Sequence, residues 1–463
     1  MVVKSVSKRR RRILAVLIVL IAAVAYLAVR IVLLVTAKPT ISVNYAAQYN
    51  ECLKAADLDP NDNAAPGYRA AFALLPDTTD DIWAVGALWR YEPNSIVRKT
   101  VDSWVASCDE AMQALRQASK QRAFRAELST VNFFDPVSME GLSLRSFRTA
   151  AICLRCKAQS LAIQGDLAGA FDCIVTVCRM ARHLNTGGRM HINIGQALNG
   201  LAMSTALDVL SRMQVDSSLL SKAQIQFEET LLGSKPPSFA GDEVLLQDAI
   251  QRCFTDNGKG NGHMIPGIFY DEFRRIETPQ NELVANGVYL RFLYIAWAHP
   301  SRVQTLRTLK GLVQRANELV TQSPWELRAK GTSHEQELTR LARGNYFLQF
   351  MTTDATLART IELHHRIRVS GEALVTTMGL LRFHKDKGVW PASLEELAGA
   401  RYIRAVPLDP WSGKPLVYKP AGDSFILYGC GLDFDDDGGL ASKWGSSPEG
   451  GDQVFWPVEE YKK

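Results

Sequence analysis

The 463 residues leave room for two or three domains around a sizeable core, and a composition of 47% apolar and 22% charged residues excludes a disordered chain. The formal charge of +5 misleads when read over the whole chain. Lys4, Lys8, Arg9, Arg10, Arg11 and Arg12 supply six positive charges, so the remainder sums to about −1. A near-neutral body excludes the basic footprint by which a protein holds nucleic acid.

Behind the basic cluster, Ile13 to Thr36 forms an apolar run of 24 residues interrupted only by Arg30. As a helix this spans roughly 36 Å, enough to cross a hydrocarbon core with some tilt. The preceding Lys and Arg residues predict a single-pass cell-membrane protein with its N-terminus cytoplasmic and its body extracytoplasmic. Arg30 stands about two turns from the far end, where its long stem carries the guanidinium to the interface. The competing reading is a cleaved signal peptide, whose apolar region is shorter and ends at a small-residue site. The run here is longer and no clear A-x-A follows.

From about Ser42 to Arg382 helical periodicity dominates, broken by Pro- and Gly-rich loops. The clearest unit is Thr149 to Asn185. Ala151, Leu154, Ala158, Leu161 and Ala162 make one apolar stripe, Gly165-Asp166 breaks the chain, and Ala170, Ile174, Val177, Ala181 and Leu184 make a second. The spacing predicts an antiparallel helical hairpin. No second copy at a 34-residue period is evident, which argues against a repeat array.

Cys153, Cys156, Cys173 and Cys178 all fall on this hairpin. An antiparallel turn keeps the sum of paired residue numbers nearly constant, which allows Cys153–Cys178 and Cys156–Cys173 as adjacent rungs. Two readings stand side by side: disulfides formed outside the cytoplasm, and four buried thiols acting as small core residues. A zinc site is the weakest alternative, because C-x2-C and C-x4-C on helices lack the usual knuckle spacing.

Catalytic signatures are wanting. His334-Glu335 opens like a zincin helix, but position 338 is Leu where a second histidine must stand. His364 and His365 are neighbours on a helical stretch, about 100° apart, and do not readily face one metal. The glycines of the loop from Phe254 to Pro266 follow no strand and precede no Gly-Lys-Ser/Thr, so they match no phosphate-binding loop. No G-x-S-x-G elbow occurs.

The C-terminal quarter has a distinctive order. A helix from about Asp354 to Phe383 is followed by Gly388, Trp390-Pro391, Tyr402, Asp409-Pro410-Trp411 with Gly413, and the strand Ser424 to Tyr428. An acidic turn carries Asp433, Asp435, Asp436 and Asp437 before Gly438-Gly439, and the tail holds Asp452 and Trp456. This series resembles the soluble half of the major pseudopilins of type II secretion systems. Trp390-Pro391 stands for their Tyr-Pro turn and Asp409-Pro410-Trp411-x-Gly413 for their D-P-W-G segment. The resemblance covers about 110 residues. A prepilin leader is absent, and a long helical stretch separates anchor from module, so polymerisation through the N-terminal helix is not expected. The whole chain looks like bacterial membrane-anchored proteins that join a helical middle region to this ending.

The acidic turn opens like a calcium loop, D-x-D-x-D-G, but position twelve is Trp444 where an EF-hand needs Glu, and a strand precedes it. Four carboxylates in five residues repel one another unless a cation or solvent intervenes. Hard oxygen ligands suit Ca²⁺. The pseudopilin resemblance implies Asp433 and Asp452 as side-chain ligands with backbone carbonyls completing the shell. Asp435 and Asp437 are further candidates, and a solvated Asp-Gly turn without metal is the alternative.

The expectation is therefore an α+β chain in three parts. Residues 1–36 form the basic tip and transmembrane helix, 37–345 a mainly α-helical extracytoplasmic region, and 346–463 a module of helix plus antiparallel sheet. Function is expected to be of scaffold or interaction type, with an unidentified protein partner and a calcium-stabilised ending. The alternatives are an accessory part of a type II secretion or pilus-like machine, and an extracytoplasmic hydrolase with dispersed residues.

Overall fold

The structure is a computed structural model describing residues 2–52, 59, 62–76, 88–129, 131, 142–185, 187–276, 291–353, 357–442 and 450–458. Among these there is one helix long and apolar enough to cross a membrane. It runs Val2–Val35, with the apolar span at Arg10–Val35. From Arg10 onward its side chains are exposed until Leu34, which enters the protein interior.

The described residues are otherwise mostly helical, with one small sheet among them near the C-terminal end. The expected hairpin forms from Leu144–Ile163 and Leu167–His183. Ser143 caps the first helix by accepting from the Ser146 amide, and Asp166 caps the second through the Gly169 amide at 2.9 Å. Gly165, at φ +87°, supplies the left-handed residue the tight turn requires. The helix Arg189–Arg212 packs beside the hairpin. Its entry is a Gly187-Gly188 elbow, both residues at φ +98°, where Arg189 and the nearly unexposed Asp242 form an ion pair at 3.4 Å.

The long helix Leu357–Lys387 is the spine of the molecule. It ends at Gly388, φ +76°, as a glycine just past a helix should. Residues Ala373 to Leu380 are buried without a break, so this stretch of the helix is covered on every side. Beyond it, His384 stacks on Trp390 with ring centres 4.1 Å apart, and Tyr418 donates to the Pro391 carbonyl at 3.0 Å.

Three strands, β1 Val417–Ala421, β2 Ser424–Gly429 and β3 Gln453–Trp456, form an antiparallel sheet in the order β1-β2-β3. Ala421 pairs with Ser424 across a two-residue turn, and the β2–β3 register shifts at Leu427/Tyr428. Phe425, Leu427 and Trp456 join the hairpin residues in one apolar cluster, while a second cluster gathers Leu34 with residues between Phe239 and Ile361. The spine contributes to both clusters, Leu357 and Ile361 to the second and Val369 to Phe383 to the first. The module shares its core with the hairpin, through the spine.

Candidate functional site

Asp409 is the pivot of the C-terminal module. It is buried, and its carboxylate accepts from the amides of Trp411 (3.3 Å), Ser412 (3.1 Å) and Cys430 (3.2 Å). This explains the Asp-Pro-Trp-x-Gly spacing: the aspartate ties a tight turn to β2 while Trp411 fills the core beside it. At Gly413, φ +68°, a Cβ would collide with the Trp325 ring of the body, so glycine lets the turn dock there.

The acidic turn is organised mainly by its own backbone. Asp433 accepts from the amides of Asp435 (3.2 Å) and Gly451 (2.9 Å), which joins the turn to the tail. Asp435 accepts from the Asp436 amide at 3.0 Å, and Asp436 from the Gly438 amide and the Tyr428 hydroxyl. Asp435 and Asp437 are exposed. Asp452 differs: it is wholly buried, one oxygen accepts from the Gly439 amide at 2.7 Å, and among the described residues Oδ1 has no partner. Burial raises its carboxyl above the usual range. Among the described residues no three His, Cys, Asp or Glu side chains converge at metal-binding separation. The residues that could hold a cation here are Asp433, Asp435, Asp437 and Asp452, of which Asp433 and Asp452 accept from backbone amides that link the turn to the tail. Trp444 lies outside the described residues.

All eight cysteines are free thiols. The hairpin does not bring its four cysteines into two bonded rungs. Cys153 shares a hydrogen bond with Cys108 at the junction of the helices Ile96–Ser107 and Asp109–Ser119, Cys173 accepts from the Arg116 guanidinium at 3.1 Å, and Cys178 lies against Thr230. Cys153, Cys173 and Cys178 thus each meet a group outside the hairpin. Burial pushes the Cys178 thiol up to about 12.

The histidines rejected as zinc ligands are packed against each other. His334 is buried, shares a hydrogen bond with the Gln322 carbonyl at 3.0 Å, and stacks on His365 with ring centres 5.6 Å apart. Burial pushes His365 down to about 3 and His364 to about 4, so both are neutral. Among the described residues the His365 Nε2 atom has no hydrogen-bond partner.

These two histidines line a cleft of about 1240 Å³ between the helical body and the C-terminal module. The spine helix supplies His364, His365, Arg368 and Glu372, and the module supplies Ile403 to Pro410. A third wall is a π-helical turn, Glu228–Leu232, at the end of the helix Ser217–Phe227. Gly233 closes that turn by donating to the Glu228 carbonyl at 2.9 Å, and a Cβ there would meet the Glu229 carbonyl oxygen at 2.7 Å. The wider turn places Glu228 and Glu229 on the cleft wall.

Ion pairs order the charges. Arg404 of the module reaches Glu228 of the body at 2.6 Å, and Arg368 lies 3.4 Å from Glu372. Burial raises the Glu372 carboxyl, partly offset by Arg368. The module is fixed to the body by the Trp325 amide donating to the Pro410 carbonyl (3.0 Å), by Gln224 donating to the Tyr402 carbonyl (2.7 Å), and by Arg328 over the Phe434 ring (4.4 Å). His364 and His365 stood out in the sequence only as rejected metal ligands, and nothing there singled out Glu228, Glu229, Arg368, Glu372 or Arg404. The doublet Glu228-Glu229 closing an apolar helix, and Gly371 inside the spine where Leu231 and Leu232 pack, were the available signals.

Comparison with protein families, with curated proteins and with solved structures finds no match to this chain.

Proposed function

We propose that the protein is a single-pass membrane protein with an extracytoplasmic body that takes a peptide segment of a partner protein into the cleft between body and C-terminal module. The cleft carries this reading. Its 1240 Å³ exceed the roughly 300–1,000 Å³ of small-molecule pockets and suit a short stretch of chain. Four glutamates (Glu228, Glu229, Glu326, Glu372) face two arginines (Arg368, Arg404) among apolar walls, which favours a segment carrying Lys or Arg. The basic cluster ahead of the anchor supports the orientation. The unpartnered Asp452 oxygen supports a calcium ion bound by Asp433 and Asp452 that holds the acidic turn to the tail.

A photo-crosslinking residue at Leu408, on the cleft, is expected to give one discrete protein adduct in native membranes. The same residue at Ile96, exposed and outside the cleft, should give none. Loss of the adduct in a Glu229→Gln/Glu372→Gln variant would support the charge argument. Equal or absent adducts at both positions would sink the reading. Co-purification of secretion components with the detergent-extracted protein would instead favour the machine-accessory role. A second reading, hydrolysis, draws on one observation: a carboxyl raised by burial, Glu372, on the same wall as two neutral histidines is suited to acid–base chemistry.

A further inference from the structure

The anchor helix does not end in a free tether. Leu34, in its last turn, is 9% exposed and belongs to the second core cluster. One turn earlier, the Arg30 guanidinium stands 5.6 Å from the centre of the Trp297 ring. Trp297 lies on a helical stretch, 291–298, that buries Phe292 and Ala296 and turns Arg291, Tyr294 and Trp297 outward. Tyr294 is 72% exposed and Trp297 47%. Two large aromatic residues, an arginine and the emerging anchor therefore share one surface.

Helix geometry sets the depth of that surface. Arg12 to Arg30 spans about 27 Å at 1.5 Å per residue. A hydrocarbon core is about 30 Å thick, so Arg12 at the inner boundary places Arg30 close to the outer one. Trp297, packed on Arg30, is then level with the layer where Trp and Tyr concentrate in membrane proteins, since an apolar ring with a polar edge matches it. The glycine loop lies toward the same end. The Arg30 charge contributes, after burial, to holding His263 below its ordinary value, and Lys259 is exposed on that loop.

We infer that the face carrying Tyr294 and Trp297 is a membrane-docking surface, seated in the outer lipid headgroup layer, so that the body lies on the bilayer in a fixed pose. Its occupant is the lipid surface itself, because the face is continuous with the membrane-spanning helix. Arg291, exposed on the same helical stretch, adds positive charge for lipid phosphates. The inference rests on reading the N-terminal helix as a membrane span.

The test uses full-length protein in vesicles containing lipids brominated either near the acyl carbonyl or near the terminal methyl, with flotation of the same sample. None of the nine tryptophans lies in the anchor. Shallow bromines are expected to quench a fraction of the emission that deep bromines leave, and Trp297→Phe should abolish that fraction. Tyr294→Trp, at an exposed position, should enlarge it. Floating protein without shallow quenching, or quenching that survives Trp297→Phe, overturns the docking surface and leaves the membrane span standing. Protein that fails to float overturns both.

Discussion

Replacing Asp452 by asparagine is expected to change stability in opposite directions with and without calcium. Without the cation, Asp452 is a buried carboxylate with one oxygen on the Gly439 amide and the other unpartnered. Burial raises its folded pKa above 3.8. A raised acid binds its proton more tightly in the fold, so this site favours folding at low pH and loses that contribution as pH rises through the raised value. At pH 7 in chelator the ionised group is a net cost. The asparagine side chain would keep the acceptor for Gly439 and remove the charge, a gain of about 1 kcal/mol after allowing for an unpaired amide. With calcium at about a hundred times its Kd, the wild-type protein should gain about 2.7 kcal/mol, and Asp452→Asn well under half of that. The assay is urea unfolding in detergent followed by tryptophan emission, with chelator and with about 10 mM calcium, a concentration suited to the weak sites of extracellular modules. A wild-type midpoint indifferent to calcium would refute the cation. A full calcium response in Asp452→Asn would refute the role of that residue.

Three further outcomes follow from the geometry. Gly241→Ala should destabilise by about 1–3 kcal/mol despite better helix propensity, because its Cβ would lie 2.8 Å from the Gly188 nitrogen; a raised urea midpoint would contradict this. Maleimide should label one thiol quickly in the native protein, the exposed Cys52, and all eight after denaturation without reductant; four after denaturation would restore the two hairpin disulfides. His365, held down at about 3 by burial and then by His364, His334 and Arg368, is neutral in the fold but protonates when unfolded below about 6.5. Its contribution to stability is therefore present above pH 6.5 and lost as pH falls toward 3. Buried Asp242 and Glu372 are raised and act in the opposite sense, so the readout is the difference between wild type and His365→Gln in urea midpoints at pH 7 and pH 4.5. A difference that does not change with pH would count against it.

Local signals in the chain were readable in proportion to how few distant residues they needed. The apolar run ending near Thr36 needs no tertiary partner to be helical, and the hairpin announces itself through Gly165-Asp166 between two stripes. Gly388, Trp390-Pro391 and Asp409 to Gly413 each sit at a turn whose chemistry is written in neighbouring residues. The cysteines were harder. Spacing on an antiparallel hairpin is compatible with rungs, but it does not say that Cys153 turns toward Cys108. The cleft was not readable at all. Glu228 and Arg404 meet across 176 positions, from an irregular turn set by the contacts of Gly233 and Gly371. The spine was recognised as a helix, yet its unbroken buried stretch shows no amphipathic stripe from which its partners could be inferred.

That enclosure of the spine has a consequence for biosynthesis. The groove that Ala373 to Leu380 fill is built largely from helices that leave the ribosome long before them, so the N-terminal half emerges without its central strut. Nascent chains halted before Leu357 are expected to be easily cleaved by protease and dependent on chaperones, and chains extended past Gly388 to become resistant.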